Sequence, residues 1–186
     1  MKQHILPAIR LTVVCLVFFI VIYPAIVWGI AQLTPNKGQA DTITVNGKKY
    51  YSNIAQNFSD DKYFSSRPSA VAYNAAGAGG SNKGPSNPDY LKEVQSRIDT
   101  FLVHNPGVQK SEIPSDLVTA SGGGLDPDIS VQAAEVQVKR IAKIRGITTA
   151  AIEQIISENT QKPLLGLLGT EKINVLKLNV ALDKLK

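Results

Sequence analysis

The stretch LTVVCLVFFIVIYPAIVWGIAQL, residues 11–33, decides the organisation of this chain. It contains no charged residue, and only Thr12 and Gln32 in it are clearly polar. A helix of these 23 residues would be roughly 34 Å long, enough to cross a hydrocarbon core of about 30 Å. Pro24 does not exclude such a helix, since proline is tolerated where a membrane helix packs on its neighbours. The stretch therefore predicts a transmembrane helix.

A cleaved signal peptide is the alternative interpretation of the same stretch. Lys2 and Arg10 provide a basic region before it, and Gly29 and Ala31 form a small-x-small site near its end. The apolar run is longer than the usual signal-peptide core of about 7–15 residues. Its length therefore favours a retained anchor over a cleaved signal.

The orientation of this helix does not follow from charge. Lys2 and Arg10 precede the apolar stretch, whereas Lys37, Lys48 and Lys49 follow it closely. Membrane proteins place the lysine- and arginine-rich side in the cytoplasm, and here the two sides are nearly balanced.

The rest of the chain is predicted to be a small α+β domain with a mild charge. The single cysteine, Cys15, lies in the apolar stretch, so the domain has no disulfide, and export is compatible with this. Beyond the anchor, 18 Lys and Arg face 15 Asp and Glu, too even a balance for a nucleic-acid-binding protein. The predicted organisation is an N-terminal tail (1–10), a transmembrane helix (11–33), a linker (34–42) and a soluble α+β domain (43–186).

Local signals place the first elements of this domain. Asn46-Gly47 between two β-prone runs predicts a hairpin. Residues 74–88, rich in Gly, Asn, Ser and Ala, predict an extended surface loop. A helix is expected to start after Asn87, an N-cap residue followed by Pro88, and to end at residues 105–107.

Three more elements are expected towards the C-terminus. Helices are predicted over residues 131–145, ended by Gly146, and over residues 149–158. The tail, residues 172–186, predicts a strand that gives way to helix-forming residues at its end. Its apolar residues lie at every second position: Leu176, Leu178, Val180 and Leu182.

The stretch GGSNKGPSNPDY, residues 79–90, superficially resembles a phosphate-binding loop. A P-loop requires Gly-x4-Gly-Lys-Ser/Thr, so that backbone amides surround the phosphates and the lysine reaches them. Counted from Gly77, the second glycine is replaced by Asn82, and Gly84 follows Lys83 where a hydroxyl residue is required. A lead-in to the helix cap at Asn87 is the preferred interpretation.

The stretch ASGGGLDPDIS, residues 120–130, invites a comparison with a calcium loop. Asp126 and Asp128 match the first ligands, but Val131 occupies the glycine position and Gln137 the position of the bidentate glutamate. The aspartates precede a predicted helix, whose N-terminus stabilises negative charge. A structural role is therefore favoured.

Catalytic chemistry has few candidates in this chain. His4 precedes the apolar stretch, and His104 closes a predicted helix, where an imidazole commonly meets the last carbonyl groups. There is no Gly-x-Ser-x-Gly motif for a serine hydrolase, and one cysteine and one available histidine do not make a zinc site.

The stretch YFSSRPSA, residues 63–70, leaves two interpretations open. Aromatic residues and arginine are enriched at protein interfaces, so Tyr63, Phe64 and Arg67 predict a contact patch. Alternatively, the two aromatic residues fill the core, and Arg67 pairs with a carboxylate such as Asp60 or Asp61.

Six motifs in order resemble the C subunit of the bacterial Kdp potassium-transporting ATPase. The resemblance covers nearly the whole chain and rests on YPAIVWGIAQL, YFSSRPSA, GGSNKGPSNP, DLVTASGGGLDPDIS, QVKRIAKIRG and INVLKLNVALDKL. One segment departs from the family pattern. Where the family often has Gly-Ser-x-Leu-Ile-Gly-Gln, residues 50–58 read YYSNIAQNF, and only Ile54 and Gln56 match.

The resemblance implies a non-catalytic accessory subunit of a high-affinity potassium pump in the plasma (inner) membrane. In this family, a P-type subunit hydrolyses ATP and a channel-like subunit selects potassium. The C subunit is regarded as supporting assembly or raising the ATP affinity of the catalytic subunit. The resemblance implies that its domain is extracytoplasmic, which places the tail of residues 1–10 in the cytoplasm. Help with nucleotide binding by direct contact would instead need a cytoplasmic domain. The chain alone is expected to bind neither ATP nor K+.

The resemblance also suggests which residues contact the partner subunits. Gly29 is expected to let a partner helix approach the anchor closely. On the domain, the candidates for an outer contact surface are Tyr63, Phe64, Arg67, Ser81, Asn82 and Asp126, each of which could instead hold its own loop. Asn174 and Asn179 are expected to fix the tail.

A different class of protein remains as the alternative. A stand-alone anchored or secreted binding module, or a small hydrolase, would be a stable monomer without partners. A hydrolase would depend on His104, the one histidine of the domain.

Overall fold

A computed structural model describes residues 2–185, which form two compact units. The first unit ends at Asp41 and the second begins at Thr42. The first consists of α1 (Lys2–Leu16), a π-helical turn (Val17–Ile22) and α2 (Tyr23–Gln32).

The helices of the first unit are continuous. Within them, the 30 residues Gln3–Gln32 are long and apolar enough to cross a membrane. Helical structure therefore starts before residue 11 and includes most of the segment predicted as a tail. The π-helical turn lies before Pro24, whose ring crowds the carbonyl group four residues earlier, that of Ile20, and whose nitrogen cannot donate to it.

The second unit begins with the predicted hairpin. Strands β1 (Thr42–Val45) and β2 (Lys48–Tyr51) pair antiparallel, with Val45 opposite Lys48. Asn46 and Gly47 both have positive φ, 49° and 77°, as the tight turn between two twisted strands requires. The hairpin prediction is confirmed.

The helix predicted after Asn87 is also confirmed. Helix α3 runs Pro88–His104, and the Asn87 side chain accepts hydrogen bonds from the backbone N–H groups of Asp89 and Tyr90, both at 3.0 Å. Short 3-10 turns follow at Lys110–Glu112 and Ser115–Leu117.

The single helix predicted over residues 131–145 is in fact two. After the short strand β3 (Asp128–Ile129), the structure has α4 (Val131–Glu135) and α5 (Val138–Arg145). At the break, Gln137 Nε2 donates to the carbonyl of Ala133 at 2.8 Å, while the Gln137 N–H bonds to Ala134 instead. A side-chain amide thus replaces one helical hydrogen bond and tightens the turn. Gly146, with φ 67°, ends α5 as predicted.

The predicted C-terminal strand is wrong for most of its length. Helix α6 (Thr149–Asn159) agrees with the prediction, and β4 (Thr160–Gln161) and β5 (Lys172–Asn174) follow it, but Val175–Leu182 is helix α7. The Asn174 side chain caps α7 by accepting from the Lys177 N–H at 3.0 Å. The buried residues Val175, Leu178 and Leu182 have helical spacing as well.

One core lies between these helices and a small sheet, in which β5 pairs antiparallel with both β3 and β4. The core joins Phe64 and Leu117 to residues from all four C-terminal helices and the sheet: Ile129, Ala133, Ala134, Val138, Ile141, Ala142, Ile152, Ile155, Ile156, Ile173, Val175, Leu178 and Leu182. The α+β class is therefore confirmed.

Candidate partner-binding surface

Residues 57–68, here called the Phe64 segment, have no helix or strand but are firmly held. Phe64 is completely buried in the core. The Asn179 side chain of α7 bonds both backbone groups of Phe64: Oδ1 accepts from its N–H at 2.9 Å, and Nδ2 donates to its C=O at 3.0 Å. Because buried backbone groups must find partners, this amide replaces a neighbouring strand.

Two side chains of the α4–α5 region hold the flanks of the Phe64 segment. Gln137 Oε1 accepts from the Ser65 N–H at 2.9 Å. Arg140, whose side chain is 5% exposed, donates to the carbonyl groups of Asp61 and Tyr63 and lies 3.6 Å from the Asp61 carboxylate. Burial lowers the pKa of Arg140, and the nearby Asp61 opposes that shift.

Tyr63 lies at the edge of the core, against the end of α7. Its hydroxyl donates to Asp183 at 3.0 Å, and the Arg145 guanidinium lies 4.9 Å from its ring centre. Arg145 also pairs with Asp183 at 2.7 Å. Burial, together with the bond to Asp183, raises the pKa of Tyr63.

The partner of Arg67 differs from the one considered in the sequence. Arg67 pairs with Asp126 at 2.9 Å, and not with Asp60 or Asp61. Asp60 instead pairs with Lys62 at 2.9 Å, and the Asp61 carboxylate lies 2.9 Å from His104 Nδ1. The Arg67–Asp126 pair is partly buried, with side chains 25% and 37% exposed, and joins the Phe64 segment to the loop before β3.

The two glycine-rich loops singled out in the sequence pack against each other. The Gly79 N–H donates to the carbonyl of Gly123 at 3.0 Å. A Cβ on Gly80 would lie 2.7 Å from the carbonyl oxygen of Gly122, so only glycine permits this approach. Ser121 donates its N–H to the carbonyl of Pro68 at 3.3 Å, which connects the same loop to the Arg67 region.

These contacts define a loop surface, consisting of residues 67–68, 79–82 and 121–126. Four of the predicted contact residues belong to it: Arg67, Ser81, Asn82 and Asp126. Ser81 and Asn82 are exposed, and Asn82 has a φ of 53°, which asparagine tolerates better than most residues. Tyr63 lies outside this surface. Phe64 has no exposed area for a partner to touch, and the core interpretation describes it.

Beside the loop surface lies an open cleft of about 530 Å³ that contains several carboxylates. The three aspartates among them have partners: Asp126 accepts from Arg67, Asp116 from the Ser130 N–H at 2.7 Å, and Asp128 from Lys172 at 2.5 Å. The bond to Asp128 raises the pKa of Lys172. Within residues 2–185 no group of three or more His, Cys, Asp or Glu side chains is placed to hold a metal ion. Asp126 and Asp128 thus each form an ion pair that connects two parts of the domain.

The position of His104 suggested that its imidazole meets the last carbonyl groups of α3, but it contacts the Asp61 carboxylate instead. The neighbouring Asn105 meets one of these carbonyl groups, since its backbone N–H and its Nδ2 both donate to that of Phe101 at 2.9 Å. Asn105 Oδ1 in turn accepts from Arg140 Nε at 2.9 Å.

Residues 50–58, which depart from the family pattern, form hydrogen bonds to the loop surface, to the Phe64 segment and to the C-terminal tail. Ala55 donates its N–H to the carbonyl of Leu125 at 3.0 Å, and the carbonyl of Gln56 accepts from the Ser66 hydroxyl at 2.7 Å. The carbonyl of Ser52 accepts from Asn174 at 2.7 Å. Asn174 and Asn179 are thus structural residues, but each connects the tail to a distant loop.

Sequence analysis missed the residues that hold the Phe64 segment on the side of α4 and α5. Gln137 and Arg140 are polar residues among the buried positions of this region, next to Val138 and Ile141. A polar residue at a core position of an amphipathic helix was the available signal, because such a group needs a buried partner. The identity of that partner, however, follows only from the fold.

Comparisons with known proteins agree over nearly the whole chain. The family model described as "KdpC: K+-transporting ATPase, c chain" matches residues 5–184. A protein of Bacteroides fragilis named "Potassium-transporting ATPase KdpC subunit" is 49% identical over 188 residues, covering 99% of this chain and 98% of its own length. Proteins of the same name from Flavobacterium psychrophilum (52% identical, covering 99% and 100%) and Bacillus cereus (46%, covering 99% and 97%) are similar to it as well.

Proposed function

Because the chain belongs to the KdpC family, the c chain of the K+-transporting ATPase, we propose that it is a non-catalytic accessory subunit of a high-affinity potassium uptake pump. It acts by binding other subunits. That binding supports assembly of the pump, raises the ATP affinity of the catalytic subunit, or does both.

The proposed partners are the P-type subunit that hydrolyses ATP and the channel-like subunit that selects potassium. The complex handles ATP and K+, and this chain binds neither when alone. In the membrane, Gly29 lets a partner helix approach α2 closely. Apart from the adjacent backbone of its own helix, no atom of residues 2–185 lies within 4 Å of a Cβ added there.

The observation that best supports this proposal is the construction of the loop surface. The Arg67–Asp126 pair and the bonds between the two glycine-rich loops hold its backbone, while Ser81 and Asn82 stay exposed. A surface that is ordered before binding loses little conformational entropy when a partner docks.

We further propose that the domain is extracytoplasmic and that the helix is a single-pass anchor in the inner membrane. With this orientation the loop surface cannot touch cytoplasmic ATP. Any effect on ATP affinity then reaches the catalytic subunit through the complex.

Co-purification tests the binding function. A tagged chain is produced with the other pump subunits, and Ser81→Trp is compared with Ser111→Trp, a matched change at an exposed site in the turn Lys110–Glu112. A bulky residue at Ser81 is expected to reduce the amount of co-purified subunits, whereas the change at Ser111 leaves it unaltered.

Kinetics then separate the two proposed roles. A pump made without this chain is expected to be recovered in lower yield, to have a higher apparent KM for ATP, or both. If yield and KM are the same with and without the chain, the accessory function is wrong.

A labelling experiment tests the orientation. Ser81→Cys in a Cys15→Ser background offers one thiol to a membrane-impermeant reagent in intact cells. Labelling from outside supports an extracytoplasmic domain, and labelling only after lysis contradicts it.

A further inference from the structure

The loop between β4 and β5 exposes four leucines. Leu164, Leu165, Leu167 and Leu168 are 68%, 84%, 85% and 63% exposed, although the domain has a well-formed core elsewhere. Single exposed apolar residues are ordinary, but a contiguous group of large ones marks an interaction site. Residues 163–169 are called the leucine loop.

The leucine loop is held in shape by its own backbone. Leu164 and Leu168 bond to each other through both backbone groups, each at 3.0 Å, and Gly166 donates to the carbonyl of Pro163 at 3.0 Å. Leu165 and Gly166 both have positive φ, 56° and 72°. A leucine is rarely found in this conformation, so the turn holds Leu165 in a disfavoured backbone geometry. The Leu165 side chain is nevertheless exposed.

The base of the leucine loop is fixed to the core of the domain. Strand β5, which follows it, contains the fully buried Ile173 and the buried Asn174. The apolar tip therefore protrudes from a rigid support.

A lipid surface is the partner of the leucine loop that the rest of the chain favours, because the membrane helix keeps the domain close to one. The eight residues 34–41 span at most about 28 Å when fully extended. They tether the domain to a helix that is long and apolar enough to cross a membrane. Lys162, exposed and without an ion pair within residues 2–185, precedes the loop and suits anionic head groups.

A second copy of the chain is the weaker candidate. The domain has an open groove of about 740 Å³ with the apolar residues Val103 and Ile144, but Lys139 and Lys143 line it too. The positive charge of Lys162 would meet these lysines, and like charges disfavour such docking.

We propose that the leucine loop inserts into the lipid surface of the membrane that holds the N-terminal helix. Its leucines enter the region between head groups and acyl chains, and Lys162 contacts anionic head groups. The domain is then held at the membrane at two points. This proposal rests on the membrane attachment proposed above, not on the identity of the partner subunits.

Depth-dependent quenching tests the proposal on the full chain. With Cys15→Ser and Leu165→Cys, an environment-sensitive fluorophore is attached to the loop, and the chain is reconstituted in vesicles of phosphatidylethanolamine and phosphatidylglycerol. A matched chain carries the fluorophore at Ser111→Cys. Flotation of the vesicles first establishes that both chains are membrane-bound.

The fluorophore at position 165 is expected to emit at shorter wavelength than the one at position 111. Brominated acyl chains are expected to quench it, and aqueous iodide to quench it less. Leu164→Ser with Leu168→Ser is expected to abolish both differences, while circular dichroism stays unchanged.

Equal behaviour of the two labels in chains that float with the vesicles overturns the proposal. If the label at 165 then changes only when the other pump subunits are reconstituted, the loop occupies a protein site instead. If it changes only at high chain density, the occupant is a second copy. Failure of both chains to float contradicts the membrane attachment itself.

Discussion

The Phe64 segment and the leucine loop both lack helix and strand, but the first packs against the core and the second is exposed to solvent. The Phe64 segment buries its central side chain and receives its backbone hydrogen bonds from Asn179, Gln137 and Arg140. The leucine loop bonds its own backbone across a tight turn and exposes its side chains. Irregular backbone can thus lie in the core where distant side chains bond its N–H and C=O groups. It can protrude from the domain where it forms those hydrogen bonds within its own turn.

The largest effect is expected where the core would lose a side chain. Phe64→Ala removes a completely buried ring and is expected to lower the free energy of unfolding by about 3–5 kcal/mol. Leu165→Ala, the matched truncation in the leucine loop, is expected to stay within about 0.5 kcal/mol of the wild type. The free energies of unfolding of both variants are measured by urea titration of the full chain in mild detergent, with pulse proteolysis as the readout. Similar losses for the two variants would contradict the comparison.

The next effect concerns the backbone of the same segment. Asn179→Leu keeps the side-chain size but leaves the N–H and C=O groups of Phe64 without their partner. Each unsatisfied buried group costs about 1–3 kcal/mol, so a loss of about 2–4 kcal/mol is expected.

Asn57→Leu is the control for that change. Asn57 is exposed at the start of the Phe64 segment, and its replacement is expected to change the free energy of unfolding by no more than about 0.5 kcal/mol. If Asn179→Leu were as mild, the two bonds to Phe64 would contribute little.

Two changes in the leucine loop are expected to act in opposite directions on the free energy of unfolding. Leu165→Gly relieves a leucine held at φ 56° and is expected to raise the free energy of unfolding by about 1 kcal/mol. Gly166→Ala places a Cβ at φ 72° and is expected to lower it by a similar amount, about 1 kcal/mol. The same urea titration distinguishes them. A loss of stability in Leu165→Gly would mean that the leucine side chain packs on the domain.

The smallest effect is a pH dependence at the base of the leucine loop. The bond to Asp128 raises the pKa of Lys172 above its usual 10.5. The stabilisation is therefore fully present below pH 10.5 and is lost as pH rises through the higher folded-state pKa. Because Lys172 is 51% exposed, the pair contributes less than about 1 kcal/mol.

Alkaline unfolding curves check this expectation. The loss of stability above pH 10.5 should be smaller in Lys172→Met than in the wild type, and unchanged in Lys162→Met. Equal pH profiles for all three chains would mean that the Lys172–Asp128 bond contributes nothing measurable.

Features that depend on neighbouring residues were predictable from the sequence. The apolar helix, the Asn46-Gly47 hairpin and the cap at Asn87 each result from side chains within a few positions of one another. The motifs of the loop surface were noticed as well, and Arg67 and Asp126 were both named as candidates. Their pairing was not predicted, because 59 residues separate them along the chain.

The tail shows why a local pattern can mislead. Alternating leucines predicted a strand, but the residues of α7 are buried on more than one side, so apolar positions there fit the period of a strand and that of a helix. The Asn174 cap and the core formed with α6 select the helix.

The sequence by itself determined an apolar segment able to cross a membrane, a small α+β domain behind it and a family resemblance. These depend on composition, short-range spacing and ordered motifs. Only the tertiary structure decided that Phe64 belongs to the core, that Arg67 pairs with Asp126, and that the leucine loop stays uncovered. The reason is physical: burial and hydrogen-bond satisfaction depend on which distant residues meet, such as Phe64 and Asn179, 115 positions apart.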